Sequence, residues 1–341
     1  MNDNRVTPDL LAKEIRDWLQ GSPDPVNADL IAEMAHTVLK LTGDEANRGD
    51  LKILNRALKE LRHAFRVFAP YRSVRKVSIF GSTRVTESDA HYQLAKRLGQ
   101  RLVEEGLMVI TGAGPGIMQA GHEGAGREKS FGVNVRLPAA QNANRFIQGD
   151  SKLMTFRFFF TRKLIFVKEA DAFVFFPGGF GTHDELLETL TLAQTGKSQL
   201  VPIVLMDLPG KEYWSDWTQF VRREMLGRGY ISEQELSFFK IIDDVEDAAR
   251  EIQTFYRNYH SYRFVKQDLV IRLNHPPTQG LIDTLNQDFK HILAGGKVRQ
   301  TDPLPEEAEP ANMHLHRLLL HFNRQDFAYL RQMIDMINGD N

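Results

Sequence analysis

The sequence predicts an α/β protein: a doubly wound parallel sheet with an N-terminal helical extension and a small C-terminal α+β appendage. Three observations carry this. From Val74 onward, short apolar runs alternate with stretches of helical periodicity, the pattern of parallel strands joined by crossover helices. Three strand ends run into polar or glycine-rich turns, at 81–84, 111–116 and 177–182, where open sheets of this class bind ligands. The composition, 42% hydrophobic and 26% charged over 341 residues, is ordinary for a globular chain of two or three domains. The expected divisions are 1–70 for the helical extension, 71–260 for the sheet core and 261–341 for the appendage.

The elements follow in order. Thr7-Pro8 reads as an N-cap with proline at the first helical position, and Leu10, Leu11, Ile15 and Leu19 recur at helical spacing. Gly21-Ser22-Pro23-Asp24-Pro25 breaks that helix. A second helix is expected from about Ala28 to Leu41, with Leu30, Ile31, Met34 and Val38 on one face, and a third from about Leu51 to Phe68. The basic residues of the third (Lys52, Arg56, Lys59, Arg62) read as a solvated face. In the core, strands are expected at Val77–Phe80, Leu107–Ile110, Phe131–Leu137, Ala172–Phe176 and Leu200–Met206. Helices are expected through Leu94–Leu102, through Met118 and Ala120, near Phe159–Ala170, from Thr182, and over Tyr213–Leu226. In the appendage, Leu269–Leu273 reads as a strand and Leu281–Leu293 as a helix ended by Gly295-Gly296. Residues 302–307 read as a rigid acidic connector, and Phe327, Leu330, Ile334 and Ile337 mark a last helix.

Bulk properties narrow the function. The formal net charge is −1, so no basic excess points to nucleic acid or an anionic membrane. There are no cysteines, which removes disulfides, thiolate nucleophiles and cysteine zinc sites. The start, MNDNRVTPDL, lacks a signal-peptide pattern, and no apolar run reaches membrane-spanning length. A cytoplasmic location is expected.

The stretch with most chemistry is Asp171 to Gly196. An apolar strand passes through Pro177-Gly178-Gly179-Phe180-Gly181 into a helix. Glycines let a backbone approach a ligand, and the free amides of a first helical turn favour an anion. Thr182 and Glu185 also satisfy the spacing of a capping box, with Thr182 as N-cap; that reading leaves the three crowded glycines unexplained. Gly112-x-Gly114-x-Gly116 is one residue short of a dinucleotide fingerprint and follows the second strand of the unit. It reads as a general phosphate or ribose cradle before an NAD site. Arg162-Lys163 is either a snorkelling pair at the sheet edge or a fork for a phosphate or carboxylate. His314 and His316 fall on different sides of a helix and make no metal site. His183 reads as a solvent-facing residue of the first turn.

Taken together, these motifs resemble those of the Lonely guy (LOG) family of nucleoside 5′-monophosphate phosphoribohydrolases, long labelled lysine decarboxylases. Residues 177–185 resemble its PGGxGTxxE signature, and Phe80-Gly81-Ser82 its first strand end. Residues 112–118, through Met118, resemble its glycine loop. Arg162-Lys163 matches its Arg-Lys pair, and Thr191 and Gln194 match positions after the signature glutamate. The similarity covers about residues 74–258. It implies a Rossmann-like fold, a homodimer or higher homo-oligomer, and hydrolysis of a nucleotide's N-glycosidic bond to free base and ribose 5-phosphate, with no cofactor and no metal. By motif position, Arg162 and Glu185 would be catalytic. Gly81, Ser82, Gly112, Gly114, Gly116, Met118, Lys163, Gly178, Gly179, Gly181, Thr182 and Thr191 would bind substrate. Plant-type members carry a substrate-contacting glutamate between the third strand and the Arg-Lys pair. Here residues 137–144 hold no acid, and Asn144 is taken as the equivalent, so AMP is as reasonable a substrate as a cytokinin nucleotide. Two other readings stay open on the same scaffold: a nucleotide-binding sensor with little or no catalysis, and single-stranded DNA binding, against which the neutral charge speaks. A pyridoxal-dependent decarboxylase needs a Schiff-base lysine that nothing here identifies.

Overall fold

The computed structural model describes residues 9–10, 13–15, 17, 27–138, 142–307 and 310–339. The Thr7-Pro8 cap, the 21–25 break and residues 139–141 lie outside them. The chain divides into two units, 1–60 and 61–341. The first contains the helix Ala28–Lys40 and the first part of the helix Arg48–Phe68. The apolar face expected on the former is present, with Leu30, Ile31, Met34 and Val38 all exposed.

The second unit is built on seven parallel strands: β1 (Lys76–Phe80), β2 (Met108–Thr111), β3 (Ser130–Val135), β4 (Leu153–Phe156), β5 (Ala172–Phe175), β6 (Ile203–Met206) and β7 (Phe239–Ile242). Their order is β4-β3-β2-β1-β5-β6-β7. The central strands are continuous apolar runs because both faces are covered. Alternate side chains enter two separate cores. Phe80, Ile110, Phe131, Phe173 and Phe175 pack on one face with Phe68, Phe166, Leu186 and Trp214. Val77, Ile79, Val109, Val174 and Val204 pack on the other with Leu94, Leu98, Ile117 and Ile252. Each fully buried phenylalanine contributes about 2–3 kcal/mol. Strand order reverses between β1, paired in register Ser78 to Phe173 with β5, and its other neighbour β2. A cleft is therefore expected beyond the carboxyl ends of β1 and β5.

Three sequence expectations change. The helix Phe180–Gln194 begins two residues before Thr182, with Gly179 as N-cap and no side-chain cap. The capping-box reading of Thr182 and Glu185 is thereby replaced: Thr182 already lies inside the first turn. The helix expected over Leu281–Leu293 is Gln279–Asp288, followed by one 3-10 turn. Gly295 and Gly296 do not end it; they lie within a strand where pairing slips register. Ile292 and Leu293 continued the helical spacing, so periodicity alone ran past the true end. The segment Tyr213–Leu226 is α-helical to Phe220 and then turns to a π-helix.

The carboxyl-terminal part forms an antiparallel sheet of β8 (Tyr259–Val265), β9 (Asp268–Leu273), β10 (Leu293–Thr301) and β11 (His316–Phe322), in the order β10-β11-β9-β8. The helix Phe327–Gly339 packs its Phe327, Leu330 and Ile334 into the same core. The acidic connector is pinned at one residue: buried Glu307 accepts from Arg272 Nε (2.9 Å) and Arg317 Nε (3.2 Å).

Candidate active site

A cleft of about 920 Å³ opens where β1 and β5 end. Its floor is held by backbone hydrogen bonds between the strand-end loops: Ser82 N–H donates to Pro177 O, and Ile117 N–H to Ser82 O, both at 3.0 Å. Gly178 packs against Thr182, while Gly179 and Gly181 have open space where a side chain would stand. The Thr182 and His183 amides donate to Gly179 O, while those of Phe180 and Gly181 precede any intrahelical carbonyl, so this end of the cleft suits an anion. The loop is braced from behind. Tyr213 hydroxyl donates to Gly178 O and also contacts His183 Nε2 at 2.7 Å. His183 is thus a partly buried brace, packed near Trp214 and Trp217, and not the solvent-facing residue its place in the first turn suggested. Burial lowers its pKa.

Glu185 lines the same cleft about one helical turn further on, 6% exposed. Arg162, from the helix Phe159–Glu169, faces it with Nη1 3.7 Å from Glu185 Oε1. That is an ion-pair distance and too long for a direct hydrogen bond. Arg162 is fixed by other contacts: Nε donates to Val133 O at 2.8 Å, and the guanidinium lies 5.0 Å from the Phe166 ring. Burial pushes the Glu185 carboxyl up to about 7, against the pull of Arg162 and Lys163. Burial also lowers the Arg162 pKa. Lys163 bridges Asp184 and Glu188, each at 2.9 Å, and its ammonium also lies 4.0 Å from Glu185 Oε2. Burial alone would lower its pKa, but those hydrogen bonds carry it above the ordinary lysine value. Neither residue of the pair snorkels at the sheet edge.

The structure brings Gly81, Ser82, Met118, Arg162, Gly178, Gly179, Gly181, Thr182 and Glu185 to the cleft wall. It places the other expected residues elsewhere. Gly112 lies directly behind Arg162 and Met118, and Gly116 beneath Ser82 and Thr83. Gly114 O accepts from buried Asn144 Nδ2 at 3.0 Å, and Asn144 Oδ1 and Nδ2 approach His122 Nδ1. Asn144 braces the 112–116 loop. That loop also contains Ala113 in a left-handed conformation, with φ of +60°. His122 contacts Thr111 Oγ1 and Phe131 O, and burial holds its pKa down to about 4. Lys163 stands behind the cleft. Thr191 is on the outer face of its helix, beside a small hollow shared with Gln194 and Trp217.

Sequence reasoning missed several wall residues: Arg84, His91 and Phe159. His91 Nε2 lies 2.9 Å from the Oδ1 of buried Asp207, at the end of β6. The only local signal for it was the Asp89 N-cap of the helix Ala90–Glu104. No three His, Asp or Glu residues among the described residues are arranged to hold a metal ion. No helix among them is long and apolar enough to cross a membrane.

Residues 115–252 match a family model described as "Possible lysine decarboxylase". A probable cytokinin riboside 5′-monophosphate phosphoribohydrolase of rice (Oryza sativa subsp. japonica) is 30% identical over 165 residues. The chain is similar to the LOG family over its sheet core. The rice match takes in 46% of this chain and 63% of that protein, so the chain spans just under two thirds of that LOG relative's length. A cytokinin riboside 5′-monophosphate phosphoribohydrolase of Arabidopsis thaliana is 25% identical, over 53% of this chain and 82% of its own. A pyrimidine/purine nucleotide 5′-monophosphate nucleosidase of Escherichia coli (strain K12) is 27% identical, over 52% of this chain and 40% of its own. Among the described residues, no lysine lines the cleft.

Proposed function

We propose that the cleft hydrolyses the N-glycosidic bond of a nucleoside 5′-monophosphate, such as AMP or a cytokinin riboside monophosphate, to the free base and ribose 5-phosphate. One observation carries the reading: a buried carboxylate, Glu185, faces a buried guanidinium across the same cleft that holds a glycine-lined helix N-terminus. Nucleotide binding alone gives no reason to bury an acid beside a phosphate site.

In this reading the 5′-phosphate sits on the amides at Gly179 to Gly181 and beside Thr182. It undergoes no chemistry; its binding energy positions the sugar. The bond from C1′ to the base nitrogen breaks, the electron pair leaves with the base, and positive charge develops on the ribose. Glu185 as carboxylate stabilises that charge and orients the water whose oxygen bonds to C1′. The leaving nitrogen ends protonated, and the water's hydroxyl remains on the sugar, so the step is a balanced hydrolysis. Arg162 orients Glu185. Asn144, its amide spent on Gly114 and His122, does not read the base.

Two helices bridged by Lys163 expose Phe160, Leu164 and Leu187, and this apolar face would seat a second copy of the chain. The test of the activity is direct. The protein is incubated with a panel of purine and pyrimidine nucleoside monophosphates and released bases are separated by chromatography. Release of base with equimolar ribose 5-phosphate is expected, and Glu185→Gln should lower the rate at least 100-fold. A folded wild-type protein that releases no base from any monophosphate sinks the proposal.

A further inference from the structure

A second cavity, of about 630 Å³, lies away from the cleft, between the parallel sheet and the carboxyl-terminal antiparallel sheet. Its walls are the helix Phe159–Glu169, the turn after the helix Phe180–Gln194, and β8. Three tyrosines meet there, and they differ. Tyr256 hydroxyl donates to Asp171 O at 2.6 Å and Tyr262 hydroxyl to Ser198 O at 2.9 Å. Tyr259 is only 1% exposed, and its hydroxyl makes no hydrogen bond to the described residues. A phenol on a cavity wall with no protein partner keeps its O–H free to donate to an occupant.

The cations on the wall are Lys168, which pairs with Glu169, Lys197 and Arg263. The Lys197 ammonium has no carboxylate partner among the described residues. The one acid on the wall, Asp171, is already engaged by the Lys76 amide at 2.9 Å and by Arg75 at 3.9 Å. The rest of the lining includes Val167 and Phe264, which offer apolar surface to a flat body. The wall also reaches Thr189, whose hydroxyl donates to the Glu185 carbonyl at 2.7 Å, so an occupant would lean on the helix carrying that acid.

We propose that this cavity is a second ligand site, taking a small anion with a flat apolar or aromatic body. Tyr259 supplies the directed hydrogen bond and Lys197 the countercharge. The site does not depend on what the cleft catalyses.

The full chain is titrated with 8-anilinonaphthalene-1-sulfonate, an anion of this description, and read by fluorescence. Saturable binding is expected. Lys197→Glu should weaken it about tenfold or more, and Tyr259→Phe about fivefold, the loss of one hydrogen bond. Arg84→Glu, which reverses a charge on the cleft wall, should leave the affinity unchanged. Lys197 is exposed on a turn, so its variant should fold; Tyr259→Phe keeps the ring. Absence of saturable binding overturns the proposal. So does binding that neither Lys197→Glu nor Tyr259→Phe weakens by even twofold, and so does weakening by Arg84→Glu in their place.

Discussion

Two glycine-rich loops leave the carboxyl ends of β2 and β5, and in sequence they look alike. In space Gly112 and Gly116 do the opposite of Gly179 and Gly181, while Gly178 packs on the protein as the first pair do. In the 112–116 loop a side chain on Gly112 would meet the Arg162 guanidinium and come within 2.6 Å of Met118 Sδ. One on Gly116, at φ +68°, would run into the backbone of Ser82 and Thr83. These glycines are absent side chains that let the protein pack on itself. In the 178–181 loop Gly179 and Gly181 have nothing within 4 Å of where a side chain would go. The space they leave is open to the cleft. A glycine count therefore identifies a tight place without saying whether its occupant is a ligand or the protein.

The comparison is broken most easily at Gly116. Gly116→Ala should cost about 3 kcal/mol, combining a left-handed backbone with overpacking against backbone atoms that have no rotamer to escape into. Urea unfolding measures it. A loss under about 0.5 kcal/mol would show that the 112–116 loop is as open as its counterpart.

Gly112→Ala acts through a neighbour. The new methyl displaces the Arg162 guanidinium, and a misplacement of about 1 Å in a catalytic group costs on the order of 100-fold in rate. The loss should fall on kcat with KM little changed, because the phosphate loop is untouched. An equal rise in KM instead would mean that the 112–116 loop touches substrate directly.

Much of this contrast was out of reach in the sequence. β1, β2, β5 and β6 were legible because strands covered on both faces are unbroken apolar runs. β8 was not: its buried residues Tyr259, Tyr262 and Val265 fall three apart, since a register slip between Tyr259 and Ser261 spoils the alternation. β10 buries only Val298 and carries two glycines, so it looked like a helix end. Arg162 and Glu185 were picked out by resemblance, and they meet because each lies near the start of a helix that follows the carboxyl end of a strand. The pairing of His91 with Asp207 joins residues 116 apart, and no local pattern announces it. The bracing roles of Asn144 and His183 were equally hidden, because each depends on a partner from another element.

Glu185 sharpens the comparison from the open side, because its carboxyl borders both the cleft and the Arg162 that Gly112 supports. Its folded-state pKa is raised from 4.5 to about 7 by burial. If the carboxylate is the working form, kcat/KM should fall tenfold per pH unit below about 7 and level off above it. The stability sign is opposite. A raised carboxyl pKa favours folding below about 4.5, and that contribution is lost as pH rises through about 7. Glu185→Gln should therefore be inactive yet more stable than the parent at pH 8, and a thermal melt at pH 5 and pH 8 checks both limbs. A parent whose rate is flat from pH 5 to 8 excludes the carboxylate from the rate-determining step.

The smallest effect belongs to Gly179→Ala. Its backbone, at φ −91° and ψ −158°, is extended and suits alanine, and the new methyl meets no protein atom. Stability should move by less than about 0.5 kcal/mol. The methyl does enter the space where the phosphate is proposed to sit, so KM for the nucleotide should rise about tenfold while kcat holds. Inorganic phosphate as a competitive inhibitor should weaken in parallel, which ties the change to the phosphate and separates it from the base. Should Gly179→Ala leave both constants alone, the open glycines are not a phosphate seat, and the likeness between the two loops is closer than their packing suggests.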